Sequence, residues 1–99
     1  MDQAIDSYDA RIRAAYRHLI HDLNGEVGDY VSLTDLRPYV GGHRPYVDEA
    51  LRRMGRGNYP GPGQVHLVPE SNQKTLSQLD RAEAVTLGNI PQHLISIRP

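Results

Sequence analysis

The chain has no cysteine, no tryptophan and no phenylalanine among its 99 residues. Without cysteine, neither a disulfide nor a thiolate metal site can support the fold, and six tyrosines supply all the aromatic bulk. No apolar run approaches the roughly 20 residues that cross a bilayer, and the acidic start MDQAIDSYDA lacks the apolar stretch of a secretory signal. We therefore predict a cytoplasmic protein that does not associate with a membrane. Its length predicts a single domain over residues 1–99.

A strong excess of positive charge is also missing. Eleven Lys and Arg residues face twelve Asp and Glu, so the formal net charge is −1. Dedicated DNA-binding domains are commonly basic, because they neutralise phosphates. The charge is unevenly spread, however: residues 1–26 carry a net −2 and residues 41–66 a net +2. The small basic excess therefore falls on one segment, 41–66.

A pattern typical of one amphipathic helix covers the first quarter of the chain. Its apolar side chains recur every three or four residues, which is the spacing of one helical face, and the acids Asp2, Asp6 and Asp9 stand where a helix dipole favours negative charge. Asn24-Gly25 is a typical left-handed helix end. The pattern predicts a helix from about residue 6 to 23 whose buried face contains Tyr8, Ile12, Ala15, Tyr16, Leu19 and Leu23.

A short strand at Tyr30 leads into a second helix. Ser32 is a typical N-cap, and Asp35 three residues later makes a capping-box pattern with Asp in place of Glu. We expect a helix over about residues 33–40, shortened or kinked by Pro38, which cannot donate an intrahelical hydrogen bond.

Gly41-Gly42 separates this helix from a third. Pro45 suits the first position of a helix, so we expect the third helix to run from about residue 45 to 55. Its apolar positions share one face and are Val47, Ala50, Leu51 and Met54.

The second half of the chain alternates loops, strands and one further helix. The sequence GNYPGPG, residues 57–63, is a loop by its glycine and proline content. The alternation over 64–68 predicts a strand. Ser77 starts a helix-prone segment, so we expect an inserted helix at 77–87, and residues 92–97 read as the last strand.

This order resembles that of a winged helix-turn-helix. The relevant stretch runs from DYVSL through TDLRPYV, the glycine turn and RPYVDEALRRM to the strand QVHLV. The resemblance implies an α+β fold with a three-helix core, a small antiparallel sheet, and an extra helix inserted between the last two strands. It also implies that the third helix enters the major groove of double-stranded DNA.

The predicted DNA-binding residues follow from that resemblance and from chemistry. Arginine forks fit guanine edges and phosphates, and a helix N-terminus attracts anions. Against this reading, Asp48 and Glu49 lie four residues before Arg52 and Arg53, which is the order of intrahelical ion pairs on a solvated face. The candidate set is His43, Arg44, Tyr46, Arg52, Arg53, Arg56, Asn58 and Tyr59.

No pattern for catalysis or for a metal is evident. His18 and His21 are three apart on the first helix, but a zinc site needs three or four convergent ligands, and the spacing offers no third. No Ser/His/Asp order or HExxH motif appears. We expect no enzymatic activity, no cofactor and no metal.

Two functional hypotheses remain. The first, which we prefer because the basic excess falls on the helix that would contact DNA, is a small DNA-binding protein, such as a prokaryotic transcriptional regulator or another DNA-associated factor. The second is a module for protein interaction or oligomerisation without DNA binding, in which the chain forms a homodimer or joins a larger assembly. Near-neutral charge and the inserted helix favour the second, whose apolar contact surface would consist of Leu76, Leu79, Val85, Leu87 and Ile90.

Overall fold

Helices dominate the first half of the described chain and strands its second half. The computed structural model describes residues 2–57 and 64–98, with side chains from Ser7 onward. In this part the chain is an α+β protein with four α-helices and a small antiparallel sheet. The elements are α1 (Asp2–Asp22), β1 (Val31–Ser32), α2 (Leu33–Val40), α3 (Arg44–Gly55), β2 (Gln64–Val68), a 3₁₀ turn (Gln73–Thr75), α4 (Gln78–Glu83), β3 (Val85–Leu87), β4 (Ile90–Gln92) and β5 (Leu94–Arg98).

The longest helix, α1, begins four residues earlier than expected and buries the predicted stripe from Ile12 to Ile20. Leu23 was expected on the same face, yet it is exposed because the helix ends at Asp22. The left-handed residue at this end is Asn24, with φ 54°, and the following N–H of Gly25 donates to the carbonyl of Ile20 at 2.9 Å. This bond satisfies a carbonyl of the last turn.

The second helix has a serine cap and is not broken by its proline. The Ser32 hydroxyl accepts from the N–H of Asp35 at 3.0 Å and so caps α2. Pro38 lies inside the helix, which nevertheless continues to Val40. The N–H of Gly41 then closes the last turn onto the carbonyl of Arg37 at 3.0 Å, with Gly41 at φ 63°.

The main sheet has the strand order β1-β5-β2, and all its pairs are antiparallel. Val68 at the end of β2 is paired with Leu94 at the start of β5. Residues 69–93 therefore leave and re-enter the sheet at neighbouring positions, and we call them the insertion. The rest of the described chain, comprising α1, α2, α3, β1, β2 and β5, is called the scaffold.

The predicted helix at 77–87 is wrong in its second half. α4 ends at Glu83, and residues 85–87 form a strand paired with residues 90–92. The two residues between these strands, Gly88 and Asn89, both have positive φ, 59° and 65°. Such a pair forms the tight turn that suits a hairpin. Gln92 belongs to this hairpin, and the last strand starts at Leu94 instead of 92.

The core lies between α1, α2, α3 and the main sheet. Sixteen buried apolar residues form it, and Val85 is its only member from the insertion among the described residues. Ser96 of β5 is also fully buried, and its hydroxyl donates to the carbonyl of Gly28 at 2.7 Å. None of the helices in the described ranges is both long and apolar enough to cross a membrane.

Candidate functional site

The third helix buries the four residues predicted for its inner face, from Val47 to Met54. Its outer face carries the arginines that the sequence proposed for DNA contact. This face lies against the insertion, because β3 packs beside α3 and α4 packs beside α2. The surroundings of each arginine therefore decide what the face can bind.

Arg44, in the first turn of α3, contacts the end of α4. Its Nη2 donates to the carbonyl oxygen of Ala82 at 2.5 Å, and its Nη1 lies 3.5 Å from a carboxylate oxygen of Glu83. Within α3 its Nε is 3.4 Å from Asp48. The side chain keeps 45% of its surface exposed, so Arg44 is engaged on one side and open on the other.

Arg37 of α2 is the central member of this group, and the sequence analysis did not consider it. Its side chain is only 11% exposed and bridges α3 to α4. The Nη2 atom is 2.8 Å from Asp48, and Nε donates to the Glu83 carbonyl at 2.8 Å while lying 3.1 Å from the Glu83 carboxylate. Asp48 was expected to pair with Arg52, but it pairs with Arg37 and Arg44.

The C-terminal half of α3 meets the hairpin. The Nε of Arg52 donates to the carbonyl of Thr86 at 2.8 Å, and its Nη1 lies 3.7 Å from Glu49. Arg53 has the predicted pairing with Glu49, at 3.5 Å. Arg56 follows the helix as its C-cap residue and is exposed.

The arginines help to explain why so short a helix as α4 forms. The last carbonyls of a helix lack intrahelical partners and carry partial negative charge. Arg44 and Arg37 donate to two of these carbonyls, those of Ala82 and Glu83. At the other end, Ser77 and Asp80 form a reciprocal capping box. The backbone groups at both ends of the six-residue helix thus have hydrogen-bond partners. Its own capping box supplies them at the N-terminal end, and arginines of the scaffold supply them at the C-terminal end.

Asp80 also ties α4 to α2. The hydroxyl of Thr34 donates to its Oδ1 at 2.6 Å, and the N–H of Ser77 donates to its Oδ2 at 3.0 Å. These two hydrogen bonds, the one from Thr34 first, hold the pKa of Asp80 below its ordinary value, because they favour the charged carboxylate.

His43 and Tyr46 lie together at the start of α3, in an aromatic cluster with Tyr8 of α1. The ring centroids are 5.0 Å apart for His43 and Tyr46, and 5.8 Å apart for Tyr8 and Tyr46. The N–H of His43 donates to the Tyr8 hydroxyl at 2.8 Å, which satisfies a donor at the helix start. Arg11 lies over the Tyr8 ring at 4.8 Å and donates to the carbonyl of Val40 at 2.6 Å.

The structure thus brings four of the eight predicted site residues to two places, whereas Arg53 pairs with Glu49 and Arg56 is the exposed C-cap of α3. His43 and Tyr46 join the aromatic cluster, while Arg44 and Arg52 contact the insertion. Asn58 and Tyr59 lie outside the described residues. Arg37 and Tyr8 are the additional members that sequence reasoning missed, and their partners are 46 and 35 residues distant in the chain.

The apolar surface proposed for the interaction hypothesis is divided. Leu79 and Ile90 are exposed, with 57% and 55% of their surface accessible, whereas Val85 is buried in the core. Leu76 and Leu87 are half-buried. No group of three His, Cys, Asp or Glu side chains suited to hold a metal ion occurs within the described ranges.

No protein-family model, curated protein or solved structure matches this chain.

Proposed function

We propose that the scaffold is a winged-helix domain. Its element order, one helix, a strand, two helices, and two further strands, supports this assignment. So does the strand order β1-β5-β2, in which the last strand lies between the first two. The insertion would then occupy the position of a wing.

We further propose that this domain works as a protein-interaction module and not as a reader of DNA through α3. One observation carries this proposal: the insertion covers part of the outer face of α3 and contacts two of its arginines. Arg44 donates to Ala82 and Arg52 to Thr86, so both guanidinium groups already have partners on the covering segment.

Geometry supports the same conclusion. The major groove of B-DNA is about 12 Å wide and admits a single α-helix with its side chains. A helix that carries a hairpin on its outer side, with α4 beside it on α2, is too wide to enter it. Direct contact between α3 and base edges therefore requires the insertion to move away.

The partner that we propose is a protein surface, and a second copy of this chain supplies the simplest one. The two strongly exposed apolar side chains of the insertion, Leu79 and Ile90, would be buried in such a contact. A net charge of −1 imposes little repulsion between copies, and two identical patches can face each other across a two-fold axis.

Two measurements test this function. Fluorescence polarisation with random duplex DNA at 50 and 200 mM salt should show no steeply salt-dependent binding. Sedimentation velocity should show an association that increases with concentration and that Leu79→Ser with Ile90→Ser reduces. Leu23→Ser, a change of an equally exposed leucine in the scaffold, is the matched control. Salt-dependent duplex binding by the unaltered protein, or a monomer at all concentrations, would contradict the proposal.

A further inference from the structure

α4 is attached to the scaffold in an unusual way for a helix. None of its residues is buried, although helices in proteins are mostly stabilised by packing an apolar face. Its attachment is polar: Thr34 binds Asp80, Arg37 binds Glu83, and Arg44 binds Ala82 and Glu83. Segments that bury few apolar side chains open at a low free-energy cost compared with the whole fold.

The segment that follows is anchored differently. Val85 of β3 is buried to 1% exposure in the core, and the hairpin turn fixes β3 to β4. α4 can therefore detach while the hairpin stays in place. The hydrogen bond from Arg52 to Thr86 would survive such an opening, whereas the contacts of Arg37 and Arg44 to α4 would be lost.

We propose that α4 is an autoinhibitory cap, and that its local opening exposes a basic face on α2 and α3 that binds double-stranded DNA. The cap comprises α4 with Ser77 and Ala84 on either side. The proposal goes beyond the interaction function, because it concerns a minor open form of the same domain. In the closed form the cap occupies the polar contacts that phosphates would otherwise use.

The charge of the exposed face identifies the ligand. Opening removes the carboxylates of Asp80 and Glu83 from the arginines of α2 and α3, whose own helices carry the acids Asp35, Asp48 and Glu49. Those arginines are Arg37, Arg44, Arg52, Arg53 and Arg56. Arg37 and Arg44 also lie near the N-terminal end of α3, where the helix dipole favours an anion. Five guanidinium groups against three carboxylates are suited to a polyanion, and guanidinium forks fit phosphate oxygens.

A charge-neutral variant tests the cap. Thr34→Val with Ser77→Ala removes the tether to Asp80 and the N-cap of α4, and it changes no charge. Losing one cap or one such hydrogen bond shifts an equilibrium by about five-fold, so the pair should raise the open population roughly 30-fold. Because apparent affinity follows the fraction of the competent form, duplex affinity should rise at least about ten-fold at 50 mM salt.

Two further readouts belong to the same experiment. Amide exchange in α4 should accelerate in the variant while exchange in α1 stays unchanged. If three phosphates are contacted, affinity for the duplex should fall on the order of 40-fold between 50 and 200 mM salt. Faster exchange without tighter duplex binding would overturn the proposal, as would unchanged exchange and binding. Tighter binding of polyglutamate in place of the duplex would also overturn it.

A second variant guards against an inconclusive first one. Asp80→Ala with Glu83→Ala removes two acids of the cap, and Glu26→Ala with Asp29→Ala removes two exposed acids of the loop between α1 and β1. If the cap is responsible, only the first pair of substitutions should tighten duplex binding. Equal effects of the two pairs would show that the affinity depends on net charge alone. Duplex binding by the unaltered protein as tight as that of the variants would refute the interaction function, whereas failure of the variants alone refutes the cap.

Discussion

In the scaffold, helices and strands meet through buried apolar side chains, whereas the insertion meets the scaffold largely through arginines and carbonyl oxygens. Fifteen of the sixteen buried apolar residues lie in the scaffold, and the insertion contributes Val85. The contacts of α4 are hydrogen bonds and ion pairs at its two ends. The first kind of contact yields stability in proportion to buried area. The second mainly sets position, since partly exposed ion pairs contribute little net free energy.

The largest expected difference between the two regions follows from truncating a leucine in each. Leu51→Ala in α3 removes a side chain that is 1% exposed and should lower the free energy of unfolding by about 2–5 kcal/mol, because a cavity remains. Leu79→Ala in α4 should change it by less than about 0.5 kcal/mol. Chemical denaturation measures both. Similar losses at the two positions would abolish the distinction.

The ion-pair group at the boundary should give the next largest effect. Arg37→Ala leaves Asp48 and Glu83 partly buried without their principal cation, and we expect a loss of about 1–3 kcal/mol, discounted from the value for fully buried pairs. Arg17→Ala, at an exposed position of α1, is the control. Urea unfolding of the two variants compares them. A loss no greater than that of the control would mean that Arg37 positions the insertion without stabilising the fold.

Substitutions at two glycines, Gly42 and Gly88, distinguish the effect of close packing on stability from the effect of backbone strain. Gly42 in the scaffold has φ +79°, and a Cβ there would lie 2.7 Å from Cε2 of Tyr8. Gly88 in the insertion has φ +59° with nothing within 4 Å. Both alanine variants suffer the left-handed strain, but only Gly42→Ala displaces Tyr8. We expect Gly42→Ala to lower the free energy of unfolding by about 1–3 kcal/mol more than Gly88→Ala does. Equal losses in thermal unfolding would show that Tyr8 yields freely.

The smallest effect concerns pH. The pKa of Asp80 is lowered chiefly by the Thr34 hydroxyl, and that of Asp22 chiefly by the Tyr39 hydroxyl, whose Oη lies 2.7 Å from Asp22 Oδ2. A lowered folded pKa stabilises the fold fully above the unfolded value of about 3.9, and this contribution is lost as pH falls through the folded pKa.

Carbon NMR titration of the two carboxyls checks the assignment. Thr34→Val should raise the pKa of Asp80 and leave that of Asp22 unchanged, and Tyr39→Phe should do the reverse. A shift of both carboxyls in either variant would show that the insertion and scaffold titrate together.

Local sequence patterns predicted the scaffold well. The apolar stripes of α1 and α3 were read correctly, except for Leu23, because a periodic pattern identifies the buried face but not the residue at which the helix ends. In the insertion, Gly88-Asn89 is a recognised hairpin signal, and it would have predicted a strand at 85–87 in place of the last turn of the helix. It was missed because the helix-forming residues before it dominated the interpretation.

The site was less predictable, for a physical reason. Asp48 was assigned to Arg52 by the spacing rule for helices, yet in the structure it pairs with Arg37 from another helix. Spacing rules describe neighbours on one helix, and they are silent about a guanidinium that arrives from a different element. The same holds for two partners of Arg44, Ala82 and Glu83, which lie 38 and 39 residues further along the chain.

The sequence alone determined the helices, the apolar face of α3, the turn at Gly41-Gly42 and the strand at 64–68. Each of these features depends on residues that are near one another in the chain. The tertiary structure decided where the insertion lies and therefore which guanidinium groups meet carbonyl oxygens. That outcome depends on contacts between segments tens of residues apart, and such contacts arise only when Val68 and Leu94 pair and return the insertion to the face of α3.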